Sequence, residues 1–196
     1  LSSSLTNFDG GNIVKILTVG DGNLAFSYSL AYFFNTHLPE INLQLTATTF
    51  DSYKELTKKY PETKQIILKL LKYQCDVKHG IDAINLSERV LQKVPLSNTN
   101  KSSCNRYSYI FFMHPHLGIE DYKLHGLFLA HFFASCLNVC VDNADNNTSS
   151  TDILLSLVVG QAERWKLEYY AKRLGWICIE KKMLNNQSFG EYEVKR

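Results

Sequence analysis

Ile16-Leu17-Thr18-Val19-Gly20-Asp21-Gly22-Asn23-Leu24-Ala25-Phe26-Ser27 is the stretch whose reading decides the fold of this chain. The apolar run from Ile13 to Val19 reads as a buried strand, and Leu24 to Phe34 follows as a helix-compatible run. A strand, a tight Gly-x-Gly turn and a helix make the first unit of a nucleotide-type α/β fold. Glycine suits the turn because it alone takes positive φ cheaply and lets backbone approach a ligand.

The same alternation continues outward. The pattern predicts a helix over 24–36, broken by Pro39, and a second strand over 43–49. Helices over 52–60 and 62–73 follow, with Pro61 between them, then a short strand over 75–79 and a helix over 85–93. Residues 107–113 read as a buried strand and 122–137 as an amphipathic helix. The low-complexity stretch 142–152 predicts a mobile loop. A strand over 153–159, a helix over 162–174 capped by Gly175, a strand over 176–183 and a last short strand over 189–195 complete the reading. So many strand–helix alternations imply a mostly parallel sheet with helices on both faces, in one domain over 1–196.

The bulk properties fit that frame. The chain has 196 residues, 45% hydrophobic and 12% aromatic, which describes a globular protein. No run reaches membrane-spanning length, and no secretory leader is visible at Leu1-Ser2-Ser3-Ser4. A start at Leu1 predicts a fragment or a processed chain. Five cysteines without CxxC spacing read as reduced thiols of an intracellular protein, with no zinc site expected. A net charge of +2 does not by itself identify a nucleic-acid partner, although seven lysines between 52 and 79 offer contacts to phosphates or, as the plainer reading, a solvated helical face.

In an open parallel sheet the ligand binds beyond the C-terminal ends of the strands. Those ends carry Gly20, Asp21, Gly22 and Asn23, then Asp51 and Ser52, then Asp82, then His114, Pro115 and His116. Asp51 is placed to accept hydrogen bonds from two ribose hydroxyls, and Asp82 from an adenine amine; the alternative for both is a helix N-cap. The dinucleotide fingerprint GxGxxG is not satisfied, because Ala25 holds the third position. Asp21 would repel a pyrophosphate, and an acidic turn better suits a cationic ligand such as S-adenosylmethionine. His114 and His116 lack a third ligand nearby for a metal; one or both would act as a base or hold a flat base, against the plainer reading of His116 as a loop residue bonded to backbone.

Several segments together resemble the 25S rRNA (uracil-N3) methyltransferase-like domain family. Ile16 to Ser27 resembles its opening motif, Ala47 to Ser52 its second, Lys78 to Ala83 its third, and Phe112 to Gly118 its fourth, which reads Phe-Asn-Phe-Pro-His-x-Gly. Gly160-Gln161 and Phe189 to Glu193 also match, so the likeness covers nearly the whole chain. It implies a Rossmann-like class I S-adenosylmethionine-dependent methyltransferase fold, with Gly20, Asp21, Gly22, Asn23, Asp51 and Asp82 holding the cofactor and His114 and His116 framing the acceptor. The implied substrate is uracil N3 in structured RNA, namely rRNA, in the cytoplasm or nucleolus. The chain looks more similar to the branch that also carries a ferredoxin-fold anticodon-binding domain, which implies a further RNA-binding domain outside these residues. One departure bears on activity: Met113 and His114 replace the family's Asn and Phe. The alternative function is therefore an RNA-binding or assembly module that kept the fold without catalysis. A small-molecule methyltransferase is a third reading, mildly disfavoured by the lysines.

Overall fold

The computed structural model describes residues 13–87, 106–140 and 150–183. Five strands form one parallel sheet: β1 (Ile13–Val19), β2 (Asn42–Thr48), β3 (Asp76–Lys78), β4 (Tyr109–Met113) and β5 (Asp152–Ser156), in the order β3-β2-β1-β4-β5. The helices between them are α1 (Ala25–His37), α2 (Tyr53–Lys59), α3 (Thr63–Lys72), α4 (Tyr122–Cys136), α5 (Gln161–Arg164) and α6 (Leu167–Arg173), with a 3₁₀ turn at Ala83–Asn85. This is the Rossmann-like α/β architecture expected from the alternation. Its strand order reverses between β1 and β4, and the crevice beyond those two strand ends is where such sheets bind ligands.

The sheet is buried on both faces, which is why its strands are apolar runs rather than alternations. Val14, Ile16, Leu45 and Phe111 face α1 and α3 and pack with Phe26, Leu30, Phe34 and Leu70. Leu17, Val19, Ile110 and Phe112 face the other way, onto Leu129, Phe132, Phe133 and Trp165. Phe26 and Phe132, each fully buried on opposite sides, contribute about 1.5–3 kcal/mol apiece from apolar transfer.

The register sets the strand ends level with one another. Val19 lies opposite Phe112, Thr18 opposite Ala47, Thr48 opposite Lys78 and Met113 opposite Ser156. Chain leaving β1, β2, β3, β4 and β5 therefore emerges along one edge of the sheet.

Three expectations need correction. Residues 176–183 do not form a strand: Ile177, Ile179 and Met183 are 75–80% exposed. Their alternation fits a strand, but an extended segment becomes one only when a neighbouring edge takes its backbone bonds, and no such pairing occurs among the described residues. The helix expected over 162–174 is two helices, because Lys166 takes φ 52° and interrupts the ladder. The second ends as expected at Gly175, whose φ is 85° and whose N–H donates to Lys172 O while Trp176 N–H reaches back to Ala171 O. The helix expected over 85–93 does not begin at 85: a 3₁₀ turn over 83–85 ends there and Leu86 is extended; from residue 88 the expected helix lies outside the described residues, as do 142–149 of the loop and the strand at 189–195.

Candidate functional site

The Gly-x-Gly turn is shaped first by the protein itself. Gly20 has φ 60°, and a Cβ there would sit 3.0 Å from Phe112 Cε2. Backbone geometry and the neighbouring aromatic ring on β4 both disfavour a side chain. Gly22 is different: it is exposed, and a Cβ would meet nothing within 4 Å. The open concavity of the turn is therefore at Gly22.

Asp21 points inward. Its Oδ2 accepts from Ser27 N at 2.7 Å and from Ser27 Oγ at 2.5 Å, and Ser27 Oγ in turn lies 2.7 Å from Thr18 Oγ1. Leu24, the residue at the cap of α1, takes φ 66° and offers no side-chain cap, so Asp21 satisfies the helix's N-terminal donors from three residues earlier. Its backbone N–H donates to Thr48 O at 3.0 Å and pins the turn to the end of β2. Burial pushes the Asp21 carboxyl above its ordinary value, against the Ser27 bonds that pull it down. The carboxylate that suggested a cationic ligand is thus spent on the helix, and its charge does not face the crevice.

Asn23 is also internally engaged. Its Oδ1 accepts from Ala25 N at 3.2 Å, its Nδ2 donates to Glu62 Oε1 at 3.5 Å, and Thr63 Oγ1 donates to its carbonyl at 3.4 Å. These contacts sew the start of α3 to the turn.

Asp51 is the carboxylate left facing outward at the end of β2, with 31% of its side chain exposed and Lys59 Nζ 3.6 Å away. An exposed pair of this kind holds the side chain only weakly. Ser52 beyond it caps α2 through a reciprocal pair with Glu55. Asp82 is exposed and accepts from Ile84 N at 3.1 Å, so it does cap the 3₁₀ turn. The three strand ends are joined: Asp21 N ties β1 to Thr48 O, and Thr49 N to Lys78 O, Ile81 N to Thr49 O and Gly80 N to Asp51 O tie β2 to β3. Gly20–Asn23, Asp51 and Asp82 therefore line one continuous edge. The residues fit a ligand with ribose hydroxyls and an amine, with Asp51 and Asp82 as acceptors and Gly22 as open backbone; they offer no carboxylate from the turn to a sulfonium.

Beyond β4 the chain turns sharply. His114 takes φ 52°, a left-handed conformation that costs a non-glycine residue about 1–2 kcal/mol, and its N–H donates to Ser156 O. His116 is exposed; its Nδ1 accepts from Gly118 N at 2.8 Å, so the neutral ring carries its proton on Nε2. Met113 is half-buried at the end of the strand.

Sequence reasoning missed the group that holds this loop. His125, on the first turn of α4, is 2% exposed. Its Nδ1 lies 2.6 Å from Asp121 O and its Nε2 accepts from Leu117 N at 3.2 Å, which makes it the Nδ1–H tautomer. Its ring stacks on Trp165 at 4.3 Å and touches His116 at 4.7 Å. The available signal was its spacing, four residues after Asp121, the N-cap of the same helix. Thr49 and His79 were likewise missed; their signal was proximity in sequence to Asp51 and Gly80.

Among the described residues no group of three or more His, Cys, Asp and Glu side chains gathers where a metal ion could sit, and no helix is long and apolar enough to cross a membrane.

Two Arabidopsis thaliana proteins are similar to this chain: the uncharacterized protein At4g26485, 36% identical over 104 residues, covering 53% of this chain and 43% of its own length, and heavy metal-associated isoprenylated plant protein 41, 23% identical over 189 residues, covering 93% of this chain and 33% of its own. The chain thus spans less than half the length of each. A crystal structure assigned as a sarcosine dimethylglycine methyltransferase from Galdieria sulphuraria aligns over 84% of this chain and 54% of its own, at 13% identity and a TM-score of 0.40, too low to carry over a site or a substrate. The family model described as rRNA (uridine-N3-)-methyltransferase BTM5-like matches residues 17–196, from the end of β1 through every strand end described above, and the chain belongs to that BMT5-like methyltransferase family.

Proposed function

We propose that this chain binds S-adenosylmethionine on the Gly20–Asn23 turn with Asp51 and Asp82, and methylates uracil N3 in structured RNA. The observation that carries the reading is the placement of Asp51: the outward carboxylate on the strand next to an open glycine turn, in a chain of this family. Bound S-adenosylmethionine supplies an activated methyl group, so the protein's tasks are alignment and removal of the N3 proton. His116, with Nδ1 already accepting from Gly118, offers Nε2–H as a donor and is suited to hold a uracil carbonyl. His114 and His116 together frame the acceptor at the end of β4, and removal of the N3 proton falls to a histidine of this pair. Uracil N3 is normally paired, so the acceptor would be unstacked or single-stranded RNA. Exposed Lys54, Lys58, Lys64 and Lys72 on α2 and α3 offer a phosphate-tracking face.

The test is calorimetric titration with S-adenosylmethionine, repeated with Asp51→Ala. Loss of two ribose hydrogen bonds should weaken binding by about 10- to 100-fold, and an absence of binding by the unaltered chain would sink the reading. A second reading, an RNA-binding module without catalysis, is favoured by Met113 in place of the family's Asn; binding of cofactor without methyl transfer to any RNA would select it.

A further inference from the structure

We propose that Thr49 and His79 are positioning residues for Asp51, a hydroxyl–imidazole strut that fixes the turn carrying the cofactor carboxylate. The proposal rests on the reading of Asp51 as a ligand of the cofactor.

The turn after β2 is held by polar bonds: at its far end Ser52 caps α2 with Glu55, and at its near end stands Thr49. Phe50 is 69% exposed, Ser52 is exposed and Asp51 is partly so, so no apolar burial fixes residues 50–52. The Lys59 pair lies at the surface, with side chains 61% and 31% exposed, and such pairs hold geometry weakly. Polar bonds from beneath do the holding. Thr49, 1% exposed, donates its hydroxyl proton to Asp51 O at 2.8 Å, and Gly80 N donates to the same carbonyl at 3.3 Å. A hydroxyl has one proton to give. With that proton spent on Asp51, His79 Nδ1, 2.8 Å from Thr49 Oγ1, must be the donor to it. The chain of donation therefore runs from His79 to Thr49 to Asp51.

The strut crosses from β3 to β2, so it fixes the turn against a second strand and not against itself. Tyr53, at the start of α2, sets its ring edge against His79 at 5.6 Å and limits the imidazole's freedom. Burial holds the His79 ring below its ordinary pKa, favouring the neutral ring, and the bond to Thr49 requires that ring to carry its proton on Nδ1. A ligand that donates two hydrogen bonds to one carboxylate is sensitive to small displacements of that carboxylate, because both bonds must stay near their preferred length and angle.

The test is S-adenosylmethionine affinity by calorimetry on the whole chain, with melting temperature as a check on folding. Thr49→Val keeps shape and removes the hydroxyl; binding should weaken about tenfold, the scale of one net hydrogen bond. Thr49→Ser keeps the hydroxyl and should bind within about threefold of the unaltered chain. His79→Ala, at a partly exposed site, should weaken binding in the same direction, and combining it with Thr49→Val should add little because the two act in series. If Thr49→Val binds as the unaltered chain does, or Thr49→Ser is impaired equally, the strut is overturned while the cofactor reading stands. If the unaltered chain does not bind, both fall.

Discussion

The two halves of the sheet's ligand edge are built in different ways. At the ends of β1, β2 and β3 the turns are tied to one another by backbone bonds, from Asp21 N to Thr48 O, Thr49 N to Lys78 O and Gly80 N to Asp51 O. At the ends of β4 and β5 the chain leaves through apolar residues open to solvent: Leu117, Ile119, Val158 and Val159 are 40–76% exposed. That side is gripped from behind, by the His125 ring on Leu117 N and Asp121 O. The difference suits two kinds of ligand. A small cofactor gains affinity from a site that is already in place, since it has few contacts with which to offset ordering. A large acceptor brings surface of its own, and an apolar rim can take a flat base without a fixed set of partners.

The largest expected effect separates two glycines of the same turn. Gly20→Val should cost about 2–5 kcal/mol in urea unfolding, from left-handed strain plus the clash with Phe112. Gly22→Ala should leave stability within about 0.5 kcal/mol yet weaken S-adenosylmethionine binding, because its side faces open space. Equal stability losses at both positions would show that the fold, and not a ligand, requires both.

The next tests whether the two halves are separable. His125→Phe keeps the ring against Trp165 but leaves the Leu117 N–H without its partner and removes the imidazole bond to the Asp121 carbonyl, which keeps its bond from the residue 125 backbone N–H. Stability should fall by about 1–3 kcal/mol, and methyl transfer should fall while cofactor affinity holds. A matching drop in cofactor affinity would break the comparison, since it would mean that the acceptor loop also shapes the glycine turn.

The smallest effect is read in its sign. Burial raises the Asp21 carboxyl above its unfolded value, so ionising it opposes folding: its contribution is full below the unfolded value and is lost as pH rises through the folded one. Asp21→Asn removes that titration. Its melting temperature relative to the unaltered chain should therefore climb as pH is raised from 4 to 8. A difference that is flat or falls with pH would mean that the Ser27 bonds outweigh burial.

Much of this was legible in advance. Strand–helix alternation follows from hydrophobic period and from Gly and Pro positions, which are local, and it placed β1, β2, β4 and α1 to α4 within a few residues. The strand ends, and with them Gly20, Asp51, Asp82 and His114, followed from that alternation. The destinations of side chains did not. Asp21 was read as facing a ligand because an acidic turn would repel a pyrophosphate and suit a cation, whereas Ser27, six residues later, takes it inward. His125 looked like one more residue of an amphipathic helix; only the return of the 114–121 loop gives its ring two backbone partners.

The sequence by itself determined the parallel α/β fold and the sheet edge that carries the candidate site, because period and turn chemistry are properties of neighbours along the chain. The tertiary structure decided which carboxylates remain free for a ligand, that 176–183 stays unpaired among the described residues, and that Thr49, His79 and His125 stand behind the site. Hydrogen bonds between residues as distant as Thr49 and His79 depend on register, and register exists only once the strands have met.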